Sequence, residues 1–203
     1  MSVAREEIVE PVMQTATAAV VPLVVDLAGS LSKSDTLHES MLATVAKRPA
    51  SALRLFGWLS LGKAGFKAKV ADEAVIDAEV LPLNDAVVEV VRDARAAGRK
   101  TYLVSAADQR HVDAIAAAHD LFDEAIGSDG SNNLGGAAKA DYLVERFGEN
   151  GFDYIGDARV DLTVWAKARR AITVGISDGL RKEVEALDPE AEHLPGPIER
   201  AKR

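Results

Sequence analysis

Asp26, Ser105, Lys139, Asp157 and Asp161 are the side chains whose types and surroundings could do chemistry in this sequence. Asp26 closes the apolar run Val20-Val21-Pro22-Leu23-Val24-Val25 and is followed by Leu27-Ala28-Gly29-Ser30-Leu31. A carboxylate at the carboxyl end of a buried strand, turned outward by a glycine-containing loop, stands where open α/β sheets bind their ligands. Ser105 follows Tyr102-Leu103-Val104, Lys139 follows Gly135-Gly136-Ala137-Ala138, and Asp157 follows Gly156, with Asp161 four residues on. A set of carboxylates of this kind favours a hard cation held by oxygen ligands and waters. Taken singly, each residue has an ordinary use. Asp26 reads as a cap or turn residue, Ser105 as a strand-end cap, Lys139 as a solvated helix lysine and Gly156-Asp157 as a turn dipeptide. Their order, each beside an expected strand end or helix start, is what points to a site.

The elements that must position these residues alternate short apolar runs with helical patterns, which reads as repeated βα units. Strands are expected near 20–26, 100–105, 124–127, 152–156 and 171–174. The second and fifth are rich in β-branched or aromatic residues, as buried strands tend to be. Asn84 can cap a helix through Ala97, with Gly98 at its left-handed end. Asp108 can cap a helix through Ala118, and 137–147 has apolar residues at helical spacing, ending before Gly148. The fold class expected is α/β, a Rossmann-like parallel sheet with a small helical cap inserted after the first strand. The core would comprise 1–35 and 84–187, and the cap 36–83. Thr36 and Glu39 form a capping-box pattern, Pro49 breaks a first cap helix, 51–70 reads as a second, and Pro82 returns the chain to the sheet. An insertion there would sit above the carboxyl ends of the strands as a lid. The stretch 188–203, with Pro189, Pro195 and Pro197, reads as a tail or linker.

Composition narrows the function classes. At 203 residues the chain can bury one substantial core with a small appended domain. A net charge of −8 argues against nucleic acid as a partner. There are no cysteines, so disulfides, thiolate metal sites and cysteine nucleophiles are excluded. The most apolar stretch, 16–25, is too short to span a bilayer and is broken by Pro22. The first fourteen residues are acidic and lack the blocks of a secretory signal. A soluble, cytoplasmic protein is expected, on the cytoplasmic face of the membrane if it belongs to a larger protein. Gly130 to Lys139 is glycine-rich but lacks the Gly-Lys-Ser/Thr of a P-loop, and the four histidines show no metal-ligand spacing. Trp58 with Phe56, Leu55 and Leu59 is an apolar cluster at helical spacing, which reads as packing before it reads as a pocket.

Together the four segments around Asp26, Ser105, Lys139 and Asp157 resemble the four motifs of the haloacid dehalogenase (HAD) superfamily of phosphohydrolases. The resemblance covers about 22–174 and implies a role for each residue. Asp26 would attack phosphorus and form an aspartyl-phosphate, splitting one hard step into two. Ser105 would hydrogen-bond a phosphoryl oxygen, with backbone near Gly29, Ala106 and Ala107 helping to hold the phosphate. Lys139 would offset the negative charge of nucleophile and phosphate. Mg²⁺ would be bound by Asp26, the main-chain carbonyl of Ala28 and Asp157, while Asp161 would bind or orient the metal shell. Leu81-Pro82-Leu83-Asn84, Gly135-Gly136-Ala137-Ala138-Lys139 and Phe152-Asp153-Tyr154-Ile155-Gly156-Asp157 resemble a bacterial branch more narrowly. In that branch a soluble HAD domain precedes a membrane polyprenyltransferase of the 4-hydroxybenzoate type. The run from Pro195 to Arg203 resembles the junction before such a membrane half, which implies association with a prenyltransferase.

One position departs from the family pattern. The phosphatases carry, two residues after the nucleophile, an aspartate that protonates the leaving group and then activates water; here it is Ala28. Loss of a general acid–base group typically costs roughly 10²–10⁴-fold in rate. Alanine keeps the carbonyl that the family uses on the metal, and Ser30 keeps the hydroxyl of the usual threonine. Three functions follow as expectations. The first is an Mg²⁺-dependent phosphohydrolase acting on a small phosphate or diphosphate ester, its activity impaired by Ala28. The second is a catalytically silent HAD domain that binds a phosphorylated ligand or a prenyltransferase. The third is carbon–phosphorus bond cleavage, because phosphonoacetaldehyde hydrolases of the same superfamily also carry alanine there and use a cap lysine as an imine; Lys47, Lys63, Lys67 and Lys69 are on offer.

Overall fold

The computed structural model describes residues 20–33, 78, 81–129 and 132–196. The expected cap helices and the four cap lysines therefore lie outside the described residues, as does the end of the tail. Within them, six strands form one sheet in the order β3-β2-β1-β4-β5-β6, with every neighbouring pair parallel. The strands are β1 (Leu23–Val25), β2 (Thr101–Asp108), β3 (Glu124–Ser128), β4 (Asp153–Gly156), β5 (Arg170–Val174) and β6 (Glu192–Leu194). This is the α/β, Rossmann-like sheet expected. Chain order reverses at β1, whose neighbours are β2 on one side and β4 on the other. A ligand crevice is therefore expected outside the carboxyl end of β1, where Asp26 stands.

Strand β1 begins at Leu23 because Pro22 has no N–H to give the ladder. The Pro22 carbonyl still serves, accepting from Asp153 N at 3.0 Å. All three β1 residues are fully buried, as a central parallel strand covered on both faces must be. Leu23, Val25, Leu103 and Ile155 pack on one face against Val87 and Val91 of α1 (Asp85–Ala96) and Val112 and Ile115 of α2 (Gln109–His119). Val24, Val104 and Tyr154 face the other way. They pack against Leu143 of α3 (Ala137–Phe147), Trp165 of the short α4 (Leu162–Trp165), and Leu180 and Val184 of α5 (Asp178–Leu187). Each buried aliphatic side chain of this kind contributes about 1.5–3 kcal/mol.

The helix punctuation follows the sequence. The Asn84 side chain accepts from Ala86 N and the Asp108 side chain from Arg110 N, and Gly98 takes the left-handed end with φ +76°. Two strands depart from expectation. β2 runs on to Asp108, and its register against β3 shifts between Val104 and Asp108, a bulge that re-aims the residues from Ser105 onward. β6 lies inside the stretch expected as tail, paired with β5 and tied to it by Thr173 Oγ1 against His193 Nδ1 at 2.7 Å. Glu192, His193 and Leu194, flanked by Pro189 and Pro195, form a short edge strand that periodicity does not reveal.

Candidate active site at the carboxyl end of β1

The turn after β1 is closed by its own backbone: Leu31 N donates to Asp26 O at 3.1 Å and Ser32 N to Leu27 O at 2.8 Å. Gly29 sits in it with φ +80°, a conformation that side chains resist. Space forbids a side chain there as well, since a Cβ on Gly29 would lie 2.0 Å from Asp157 Oδ2. The β1 turn and the loop after β4 are thereby pressed together. Ser30, fully buried, seals the contact by donating to Asp157 Oδ1 at 3.1 Å.

Across this junction lies a cavity of about 400 Å³. Asp26, Ala28, Ser105, Ala106, Lys139, Asp157 and Asp161 all line it, so seven of the eight expected site residues converge; Gly29 lies behind Asp157. Lys139 comes from the first turn of α3, which starts at Gly136 (φ +56°) with no side-chain cap. It is buried and donates to Asp26 Oδ1 at 2.6 Å and to Tyr154 Oη at 2.9 Å. Ser105 Oγ accepts from Ala107 N at 3.2 Å, so its own proton remains to be donated to a ligand. The Ala107 N–H, expected to help hold a phosphate, is turned to Ser105 instead.

Asp26, Asp157 and Asp161 each offer a carboxylate oxygen within 4.8 Å of the others, among the described residues. Three hard donors at that spacing, with no sulfur or imidazole, fit Mg²⁺ or a similar cation. The two oxygens of Asp161 are already engaged. Oδ1 accepts from Tyr154 Oη at 2.8 Å, and Oδ2 from Asp157 N at 3.2 Å and Ala158 N at 3.1 Å. Of the two tasks expected of Asp161, orienting the shell is the one its hydrogen bonds support. Burial pushes the Asp26 carboxyl above the ordinary carboxylate range; the Lys139 ammonium pulls it back and the Asp161 charge adds to the rise. Burial, reinforced by the charges of Asp26 and Asp161, holds the Tyr154 phenol well above its usual range, so it stays a proton donor.

Tyr154 is the residue bonded to two of the site's side chains that motif reading passed over. Its signal is a hydroxyl inside a fully buried strand, which needs partners where every neighbour should be apolar. Apart from Asn133, the rest of the cavity wall is small or apolar, with Ala107, Gly135, Gly136, Ala158 and Val160. Ala28 presents a methyl group to it.

No family model matches the chain. An uncharacterized protein of Sinorhizobium fredii, y4nM, is 39% identical over 181 residues, covering 85% of this chain and 34% of that protein. The chain thus spans about a third of the length of that curated relative. Among solved structures, a protein of unknown function from Bordetella pertussis Tohama I matches with a TM-score of 0.62 and 20% identity, over 85% of this chain and 97% of that one. A HAD family hydrolase from Salmonella enterica serovar Typhi matches with a TM-score of 0.57 and 13% identity, over 86% and 68%. A phospho-aspartyl intermediate analogue of phosphoserine phosphatase matches at 0.53 and 13%, over 87% and 93%. The chain has the fold of the HAD hydrolases.

Proposed function

We propose that this chain is a Mg²⁺-dependent phosphohydrolase of the aspartyl-phosphate type, confined by Ala28 to substrates whose leaving group departs without a proton. The observation that carries the reading is the 2.6 Å contact of buried Lys139 with Asp26, inside the cavity that Ser105, Asp157 and Asp161 also line. A bound Mg²⁺ would supply charge neutralisation for a phosphoryl group and would sit on Asp26, Asp157 and the Ala28 carbonyl. The remaining work belongs to the chain. A carboxylate oxygen of Asp26 attacks phosphorus, the new O–P bond forms in line with the bond that breaks, and the leaving group takes the electron pair. Ser105 donates to a phosphoryl oxygen while Lys139 balances the charge gathered on Asp26. Water then attacks the aspartyl-phosphate, releasing phosphate and restoring Asp26.

The first step needs no acid when the leaving group is a weak base, such as a phosphate or carboxylate, and needs one when it is an alkoxide. Diphosphates and acyl phosphates are therefore favoured over alkyl esters. A second reading, a silent domain that binds a phosphorylated ligand, is favoured by the same methyl group, since the second step also lacks its usual base. Association with a membrane prenyltransferase rests on the resemblance of three segments and of the run from Pro195 to Arg203. Carbon–phosphorus cleavage would need one of the four cap lysines.

Hydrolysis of an activated aryl phosphate, with and without Mg²⁺, tests the reading. Turnover dependent on Mg²⁺ and lost in Asp26→Asn is expected, with Ala28→Asp raising the rate about 10²-fold or more on alkyl phosphates. Mg²⁺ and phosphate binding without turnover on any of these substrates would select the silent domain.

A further inference from the structure

Tyr154 is fully buried between the two charged arms of the site. Its direction of hydrogen bonding is settled by its partners, because an ammonium only donates and a carboxylate only accepts. The phenol therefore accepts from Lys139 Nζ at 2.9 Å and gives its one proton to Asp161 Oδ1 at 2.8 Å. Lys139 Nζ lies 5.4 Å from the ring centroid, beyond the hydroxyl, so the contact is this hydrogen bond and not one with the ring face.

We propose that Tyr154 is a positioning residue whose hydroxyl couples the cation Lys139 to the carboxylate Asp161 and so sets both the aim of Lys139 at Asp26 and the seat of the metal-binding loop. This deepens the Mg²⁺-dependent reading above and rests on it. Two of the three ammonium N–H bonds of Lys139 are fixed, by Asp26 and by Tyr154, which leaves one for a phosphoryl oxygen. Without the hydroxyl the ammonium loses its second anchor and can swing toward either carboxylate. On the other arm, Asp161 Oδ1 is held by Tyr154 while Oδ2 collects the N–H groups of Asp157 and Ala158. Rotation of that carboxylate would release the loop that presents Asp157. The edge of the Tyr154 ring also rests on Trp165, with centroids 6.5 Å apart at 68°, so the ring stays packed whether or not the hydroxyl is present. Groups one step behind a metal's ligands typically govern affinity or activity 10–100-fold.

The test is Tyr154→Phe, which keeps the ring and removes the hydroxyl. Calorimetric titration with Mg²⁺ alone should show the dissociation constant rising about tenfold, and titration with Mg²⁺ plus beryllofluoride, a mimic of the aspartyl-phosphate, should show a further loss. In the aryl phosphate assay kcat should fall about tenfold or more with KM changed less than threefold. A purely structural tyrosine would lower the melting temperature and leave the Mg²⁺ constant alone, and that outcome overturns the proposal. Failure of the unaltered chain to bind Mg²⁺ would instead overturn the metal-dependent reading itself. If Tyr154→Phe does not fold, the intact chain labelled with 3-fluorotyrosine serves. It carries three tyrosines, and only the ¹⁹F signal of Tyr154 should move on adding Mg²⁺ and beryllofluoride. A stationary Tyr154 signal in protein that demonstrably binds both probes would refute the coupling.

Discussion

Gly29 shows how much of the site depends on one missing side chain. Its φ of +80° and the 2.0 Å approach of Asp157 Oδ2 to any Cβ are separate demands, and only glycine meets both. Gly29→Ala should cost about 1–2 kcal/mol from the backbone alone. It should also push Asp157 off its bond with Ser30, so Mg²⁺ affinity should fall further than stability does. Chemical denaturation and a Mg²⁺ titration of the same variant separate the two effects; a loss confined to stability would mean that Asp157 does not hold the ion. The residues themselves were legible because each falls at a strand end or helix start, where turn chemistry leaves a readable pattern. Tyr154 and the engagement of both Asp161 oxygens were not legible in the same way. They depend on which face of β4 meets the first turn of α3, a packing fact with no local signature.

At the scale of elements, the opposite end of the sheet carries the anchoring. Asp153, nearly fully buried at the start of β4, accepts from Arg169 Nε at 2.8 Å and Nη2 at 2.6 Å and is also paired with Arg99. Arg99 in turn donates to the Val21 carbonyl at 2.8 Å, tying β1 to β4 before either reaches the site. Asp123, in the turn before β3, binds β2 in a similar way: it accepts from Lys100 Nζ at 2.6 Å and from Thr101 N at 2.9 Å. The Lys100 hydrogen bond first, then the Thr101 N–H, hold its carboxyl below the ordinary 3.8. A depressed carboxylate stabilises the fold above its unfolded pKa and loses that contribution as pH falls through the folded value. Asp123→Asn should therefore cost about 0.5–1 kcal/mol at pH 7, the low figure reflecting partial exposure. The gap to the unaltered chain should close below about pH 4. Urea denaturation at pH 7 and pH 3 checks this, and an equal gap at both would exclude the charge as its source. Periodicity exposed β2, β3, β4 and β5 because each carries a short apolar run, buried in β2, β4 and β5 and half-buried in β3. It missed β6, whose three residues hold an edge by backbone pairing and not by burial.

For the whole molecule, the question is whether the acidic cluster strains the fold until an ion arrives. Three carboxylates bring oxygens within 4.8 Å of one another beside one buried lysine, in a chain of net charge −8. Lys139 donates to Asp26 and to Tyr154, while Asp157 accepts from Ser30 and Asp161 from Tyr154 and two backbone N–H groups. Those hydrogen bonds hold the carboxylates in place, but among the described residues three acidic groups against one lysine leave net negative charge facing the cavity. A divalent cation that binds the folded state alone should then raise stability by linkage, about 2.7 kcal/mol at a hundred times its dissociation constant. For a domain of this size that corresponds to roughly 5–10 °C in melting temperature. Thermal melts across Mg²⁺ concentrations should show this rise at constant ionic strength, with Na⁺ substituting poorly. Asp157→Asn removes one ligand charge and eases the repulsion at once. It should therefore melt no lower than the unaltered chain without Mg²⁺ and gain little when Mg²⁺ is added. If the variant gained as much from Mg²⁺ as the unaltered chain, the ion would be binding elsewhere on the acidic surface, and the cavity would lose its claim to the metal.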